Sequence, residues 1–475
     1  MPTSDFDAIV SQPRARATIL FSESNVAELG MEDIKSINIL RERRNEGRGV
    51  PYGTMAANQL ILAFNKIDGY ARADYKIGAK IEIEIGEKVA GDTNYVNAGT
   101  FYAASYNLSN EYIAVVTAYD WRYSLSSLTY FRMQASDNYE PIGNMIATAL
   151  TAMGYGGYAR DITGLTYVPP AIILPEMTLF QAITYMLAAG GGAAYMDNDG
   201  ALQISDDVAG EPVKTLTPSY VAGTLENLMN DTDFCTAVRI TWYTFTIAAA
   251  ATTVIDATEY LTIPAGQSKT LFIKWKDSGW DTCADVNTPV FTVSGGMSAY
   301  LGHDEVNSPT GVYYFLSNTH GSLPLTVTKI SEQGKPVTFT AHVYEEQDSA
   351  AVAEYGLIYY ELDNKLIQTL DQAEYVAGII LSRYNFPNKW KVPTCGDPQL
   401  MPGDVISIPD NAESSIDIQI ERSAMAFDTD NGFTDELLGR FVRDTETLYL
   451  YDGSDQLYDS ADALIATREG YEIYG

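Results

Sequence analysis

The chain has 475 residues, 46% of them hydrophobic and 19% charged, and a formal net charge of −32. Its length allows about three or four domains of ordinary size, each with its own core, and its composition is that of a globular chain rather than a disordered one. The acidity argues against holding nucleic acid through phosphate contacts, which need clustered Lys and Arg, and against docking on anionic lipid.

The N-terminal stretch MPTSDFDAIVSQPRARATILF lacks a basic region followed by an apolar core and a small-residue cleavage site, so no signal peptide is expected. From about residue 14 to 120 the pattern predicts strands: RARATILFS, IKSINILRERR, NQLILAFN, KIEIEIG, GTFYAASY and EYIAVVTAYD follow one another with turn residues between them. KIEIEIG alternates strictly, with Ile81, Ile83 and Ile85 on one face and Glu82 and Glu84 on the other. Short strands at this spacing suggest an antiparallel barrel or sandwich. The run RERRNEGR (41 to 48) reads as a solvated loop or strand end.

Around residue 139 the period changes. YEPIGNMIATALTAMGYGG places Ile142, Met145, Ile146 and Ala149 on one helical face and stops in glycines. A second helix follows, with Thr178 and Gln181 at capping-box spacing and Leu179, Ile183, Met186 and Leu187 as its apolar stripe. Gly190 to Gly192 end it, and AYMDNDGALQIS then reads as a hairpin with Asp199-Gly200 at its turn. These features predict an α+β unit.

Residues 236 to 345 read as strands rich in Val, Thr, Phe and Tyr without a helix, which predicts a β-sandwich inserted into or appended to the main body. All three histidines, His303, His320 and His342, fall here. Asp304 and Glu305 stand beside the first, but the spacing matches no ligand pair for a metal. In the closing section LDQAEYVAGIILSRYN predicts a helix opened by Asp371 and Glu374, with Val376, Ile379 and Ile380 buried. QLMPGDVISIPD then gives a Pro402-Gly403-Asp404 turn into a strand, and SIDIQIERSAMAF alternates as another. Residues 401 to 475 carry 4 basic against 17 acidic side chains, and their end holds an approximate repeat, LYDGSDQ then LYDSADA.

No motif brings chemistry with it. There is no G-x-S-x-G elbow, phosphate loop or H-E-x-x-H, and three histidines offer little general-base capacity. The acidic runs DNDG (197 to 200), DTDNGF (428 to 433) and DGSDQLYD (452 to 459) read as surface turns. None carries a full calcium loop ending in a bidentate Glu. Cys235, Cys283 and Cys395 are widely spaced and odd in number, which fits a reducing compartment rather than a disulfide framework. The longest weakly polar run, FTIAAAATTVI (245 to 255), is too short to span a bilayer. The expectation is a soluble chain with no catalytic, cofactor-binding or metal residues.

Several elements in order resemble the central hub proteins of phage tail baseplates and tail tips, a family also found in related contractile injection particles. NQLILAFNKIDG, GAKIEIEIG and AGTFYAASY resemble the opening hub domain, at Asn65, Asp68, Gly69, Gly78, Gly99, Thr100, Phe101 and Tyr102. LPEMTLFQAITYMLAAGGGAAYMDNDGALQI resembles the family's helix and hairpin. TLDQAEYVAGIILSRY, PGDVISI and DELLGR resemble its closing barrel.

The resemblance implies a mainly β fold with an α+β domain: a barrel-like hub domain at 1–130, the α+β domain at 131–235, an inserted β-sandwich at 236–345, a second barrel-like hub domain with its capped helix at 346–440, and an acidic, Tyr-rich extension at 441–475. It implies a structural virion protein that forms a homotrimer, joins the tail tube or distal tail protein to a spike or tip protein, and meets the tape measure protein. DNA passes transiently through its channel during genome ejection without specific binding. Assembly would take place in the bacterial host cytoplasm, with no cofactor and no membrane segment. Two alternatives stand beside it: a receptor-binding tail adhesin that stacks a host-surface glycan on Tyr or on Trp275 and Trp280, and a tail-associated cell-wall hydrolase.

Overall fold

The first section's strands run antiparallel in the order Asn25–Leu29, Pro13–Ser22, Lys80–Val89, Asp92–Asn107, Ile113–Tyr119, Gln59–Asn65, Ile34–Glu42. The computed structural model describes residues 13–442 apart from 23–24, 44–49, 51, 68–71, 90–91, 135–139, 230–232, 259, 278, 410–414 and 429–431. It also describes 450–451, 456–458 and 464–467. The expected positions Asp68 and Gly69 and most of the 441–475 extension, including the greater part of its acidic turn, therefore lie outside the described residues.

The alternation seen in the sequence sets the first core. Ile81, Ile83 and Ile85 are buried, while Glu82 meets Lys80 at 2.6 Å and Glu84 pairs with Arg16 on the neighbouring strand. Ile19, Ile37, Leu62, Phe64, Phe101 and Val116 complete this interior. The layer curls, so that Pro13–Ser22 approaches both Ile34–Glu42 and Gly432–Phe441.

The first section and the closing section are built into one sheet. Strand Ser415–Asp428 pairs by its first half with Val405–Pro409 and by its second half with Ile34–Glu42, while Gly432–Phe441 runs along its other edge. A register shift between Ile420 and Arg422 leaves Glu421 as an extra residue. Because side chains alternate with period two, this bulge moves the inward set from even to odd positions. Ile418 and Ile420 enter a second core with Leu216, Val392, Ile406 and Leu437, and Met425 and Phe427 enter the first. The two curled parts thus share one open 13-stranded sheet, rather than two closed barrels, whose path ends at Asn25–Leu29 and Glu226–Met229.

The helices fill the space beside this sheet. Thr178 accepts from the Gln181 backbone N–H at 3.1 Å while Gln181 accepts from the Thr178 N–H at 3.0 Å, the reciprocal cap expected for helix Leu179–Gly190. Leu179, Ile183, Met186 and Leu187 are buried, as are Ile142, Met145, Ile146 and Ala149 of helix Ile142–Leu150. The closing helix, Leu370–Tyr384, departs from expectation at its start. Its cap is Thr369, whose hydroxyl accepts from the Gln372 N–H at 3.2 Å, and Asp371 lies inside the first turn. Val376, Ile379 and Ile380 are on its buried side as predicted. Among the described residues no helix is long and apolar enough to cross a membrane.

Strands Ala237–Ile247 and Leu325–Gln347 form a ribbon, in register from Ala237 opposite Gln347 to Ile247 opposite Val337. The near end of the ribbon belongs to the body, where Val238, Ile240, Trp242 and Tyr344 join the helices' core. Its far end carries a separate core of Val254, Ile255, Val312, Tyr314, Leu316, Val327 and Ile330, packed between two sheets. Lateral contact with the body includes Tyr313, which stacks on Phe131 at 5.6 Å and donates to Glu176 at 2.8 Å. A second contact is an ion pair between Lys365 and Asp281 at 2.7 Å.

Excising residues 248–336 and joining Ile247 to Val337 through a short Gly-Ser turn should therefore leave a soluble body with unchanged oligomeric state. A wider cut from 240 to 342 removes buried Ile240 and should unfold it, since deleting a buried Ile costs about 2 to 5 kcal/mol. Size-exclusion chromatography of both products tests this. Aggregation of the narrower deletion would place the insert within the body's folding unit.

Candidate assembly site

The hairpin tip Asp197–Gly200 is where three sections of the chain meet. Asp197 closes the turn by accepting from the Ala201 N–H and the Gln203 side chain, both at 2.8 Å. Asn198 donates to the Pro398 carbonyl at 2.6 Å, in the closing section. Asp199 accepts from Asn97 at 3.3 Å, and the Gly200 carbonyl accepts from the Trp121 indole at 3.1 Å. The sequence reads DNDG as a surface turn; in the structure its polar groups join neighbouring sections.

Beneath the tip lies a layer of buried charge. Arg41 and Arg43, expected in a solvated run, are 1% and 3% exposed. Arg41 donates to the carbonyls of Ala98 at 2.6 Å, Pro398 at 3.2 Å and Leu400 at 3.4 Å, so one guanidinium ties the first section to the last. Burial pulls it down to about 10, opposed by Asp435 and Asp397. Arg43 pairs with Asp207 at 3.2 Å, and Arg383 approaches Asp207 at 3.9 Å while donating to Gln419. Burial pushes Asp435 up to about 6 against the pull of Arg41 and the Ser423 hydroxyl.

A second cluster sits at the bulge of the shared strand. Arg440 donates to Glu421 and to Asp233, each at 3.0 Å, and Lys389 pairs with Glu421 at 2.9 Å and with Asp233. The Arg440 guanidinium also lies over the Tyr384 ring at 4.8 Å. The members of these clusters are scattered from residue 41 to residue 440, so no local spacing could have announced them. The one available signal was parity: Arg41 continues the inward alternation of Ile37 and Ile39.

The turn Met401–Asp404 feeds this layer. The Asp404 N–H donates to the Met401 carbonyl at 3.0 Å, Pro402 and Gly403 are the central pair, and Gly403 has φ +107°. That is the positive-φ third position of a type II turn, as its sequence predicts. Gly403→Val should cost about 1 to 3 kcal/mol through backbone strain. Denaturant unfolding checks it, and an unchanged midpoint would show that the turn tolerates a side chain.

The groups weighed for chemistry are used otherwise. His342 stacks on Trp242 at 4.5 Å and meets the Thr244 hydroxyl at 3.0 Å. His320 Nδ1 accepts from the N–H groups of Ser322 and Leu323, and His303 lies against Phe291. Among the described residues no group of three or more His, Cys, Asp or Glu could hold a metal ion. Cys235 and Cys283 are buried thiols, each pushed up to about 12 by burial. Trp275, weighed as a sugar-stacking ring, is 8% exposed and donates to the Pro309 carbonyl at 2.8 Å, which makes it a core residue. The sequence did not single out an open groove of about 600 Å³ between the first sheet and the helices. It is lined by Tyr102, Tyr119, Trp121, Tyr123, Tyr155 and Tyr158.

No protein-family model matches the sequence, and no curated protein does. Among solved structures the chain is similar to the 43 kDa tail protein of prophage MuSo2 from Shewanella oneidensis, with 11% identity and a TM-score of 0.48 over 90% of this chain and 98% of that one. It is similar to a tail protein from Neisseria meningitidis MC58, with 10% identity and a TM-score of 0.49 over 90% and 96%. A third is an E. coli component of the type VI secretion system, itself described as similar to T4 bacteriophage tail proteins. It has 8% identity and a TM-score of 0.42 over 90% and 77%.

Proposed function

We propose that this chain is a structural virion protein, the central hub of a phage tail baseplate or tail tip, acting as a homotrimer around an axial channel. The observation that carries the reading is the shared strand Ser415–Asp428, which fuses two curled β parts, each with its own core, into one body. Two such parts per subunit in three copies present six near-equivalent surfaces, enough to close a ring by head-to-tail contacts. That arrangement suits a joint between a sixfold tail tube, or distal tail protein, and a threefold spike or tip protein, with the tape measure protein in the channel. The buried charges serve this role by fixing the angle between the two parts, because breaking any pair would leave an uncompensated charge. An acidic lumen would repel DNA and let it slide through during ejection.

The reading assigns no turnover to the chain, and it places the protein in the phage tail after assembly in the host cytoplasm. Native mass spectrometry of the protein released from particles tests it. A trimer is expected, and a dimer or a hexamer as the smallest particle-derived species would refute it. Labelling the subunit in images of whole particles separates the hub, on the tube axis, from a peripheral adhesin.

A further inference from the structure

The insert brings two acidic side chains together, Glu332 in its core and Glu305 at the core's partly exposed edge. Glu305, on strand Leu301–Ser308, stands directly opposite Tyr314 of strand Gly311–Asn318. Tyr314 donates to Glu332 Oε2 at 2.7 Å, and Glu332 is 2% exposed. Each carboxyl group acts on the other's protonation, and both meet at the Tyr314 position, Glu305 across the strand pair and Glu332 through the Tyr314 hydroxyl. Glu332 Oε1 and Glu305 Oε2 are both buried, and neither receives a donor from any described side chain or backbone N–H. Two ionised carboxylates can only accept, so as a pair of anions they would repel each other and leave both oxygens unsatisfied.

We propose that Glu305 and Glu332 hold one proton between them below neutral pH, and that its release loosens the insert. A shared proton turns one carboxyl into a donor and supplies the missing hydrogen bond, in the way of other carboxyl pairs that cannot both ionise.

The surroundings favour this. Among the described residues no Lys or Arg pairs with either group. His303 lies near Glu305 on the same strand, and the Cys283 thiol lies near Glu332. Asp256, on the strand paired with Leu325–Gln347, is neutralised by Lys329 at 3.0 Å and Lys276 at 3.8 Å. Burial pushes Glu332 up to about 7, with Glu305 adding to the rise and the Tyr314 hydroxyl opposing it. The folded insert therefore binds the proton more tightly than the unfolded chain does. This contribution to stability is full below the ordinary glutamate range and is lost as pH rises to about 7. Around the pair stand Tyr314, Phe291 and Ile330 of the insert's own core, so the strain of a second charge falls on the packing between its two sheets.

Hydrogen exchange of the full chain, corrected for the intrinsic rate and read in peptides spanning 301–316 and 325–336, tests the proposal. Protection there should fall on the order of tenfold or more between about pH 5.5 and about pH 8. Asp404 and Asp435, also raised, belong to the body and do not report in those peptides. Glu332→Gln places an amide N–H where the proton sits, so its protection should be flat across the same range. If that variant does not fold, Glu305→Gln makes the same replacement from the partly exposed side. The proposal is overturned if the fall persists unchanged in the amide variant. It is also overturned if the fall vanishes in His303→Gln, which would assign it to the imidazole. Restoration of wild-type protection at high pH by millimolar calcium would assign the pair to a cation instead.

Discussion

Replacing Arg440 with alanine should destabilise the body by about 3 to 5 kcal/mol, the usual effect of removing one partner from a buried ion cluster. Arg440 is 0% exposed, and its guanidinium donates to Glu421, to the Asp233 carboxylate and to the carbonyls of Asp233 and Phe386. Without it, two carboxylates share the single ammonium of Lys389, and the Tyr384 ring loses the cation above it. Glu421 is the bulge residue at which the shared strand passes from one core to the other. The loss should therefore be felt in both β parts at once, as one cooperative transition at lower denaturant. Adding Asp233→Asn to an Arg440→Met background should recover part of the loss, since Glu421 then keeps Lys389 as its partner and no buried charge is left unpaired. A loss under about 1 kcal/mol for the alanine variant would mean that the cluster behaves like a solvated surface pair.

How much of this was legible depended on whether the determining interaction was local. Strand faces and helix stripes follow from periods of 2 and 3.6, and caps and turns from spacings of three residues. KIEIEIG, the Thr178 and Gln181 box and the Pro402-Gly403 turn could accordingly be read directly. The start of the closing helix could not, because Thr369 with Gln372 and Asp371 with Glu374 present the same spacing. The choice is made by Gln372, whose side chain is needed elsewhere, donating to the Ala189 carbonyl at 2.7 Å across 183 residues of chain. The fusion of the two β parts was hidden for the same reason. SIDIQIERSAMAF alternates as any strand does, and only the partner at residue 36 to 42 reveals that its second half serves a different core. The layer of buried charge was the least legible feature, since a charge written beside other charges reads as surface until a distant carbonyl or carboxylate is seen to meet it.

The three-glycine stop after helix Leu179–Gly190 shows what such a local signal was for. Gly191 closes the helix at φ +78°, and its N–H donates to the Leu187 carbonyl. A Cβ there would meet Ile379 Cδ1 at 2.7 Å and Tyr375 Cε1 at 2.9 Å, both on the closing helix. Gly192 is as tight, for a Cβ there would lie 2.6 Å from Leu165. Gly191→Val should thus cost about 3 to 5 kcal/mol, from left-handed strain in a β-branched residue together with overpacking. The two parts can be separated. Ile379→Ala in the same chain relieves the closer of the two contacts but not the strain, whereas Gly191→Asn relieves much of the strain but keeps both contacts, so each should fall between the extremes. Because this glycine seats the hairpin unit on the closing helix, the valine variant should also shift the hairpin tip from Pro398. If the proposed trimer forms, its assembly would then weaken at denaturant concentrations where the body is still folded. Thermal and denaturant unfolding, with native mass spectrometry on the same samples, check both consequences. A valine variant within about 0.5 kcal/mol of the parent would show that the two helices part easily and that the glycines only end the helix.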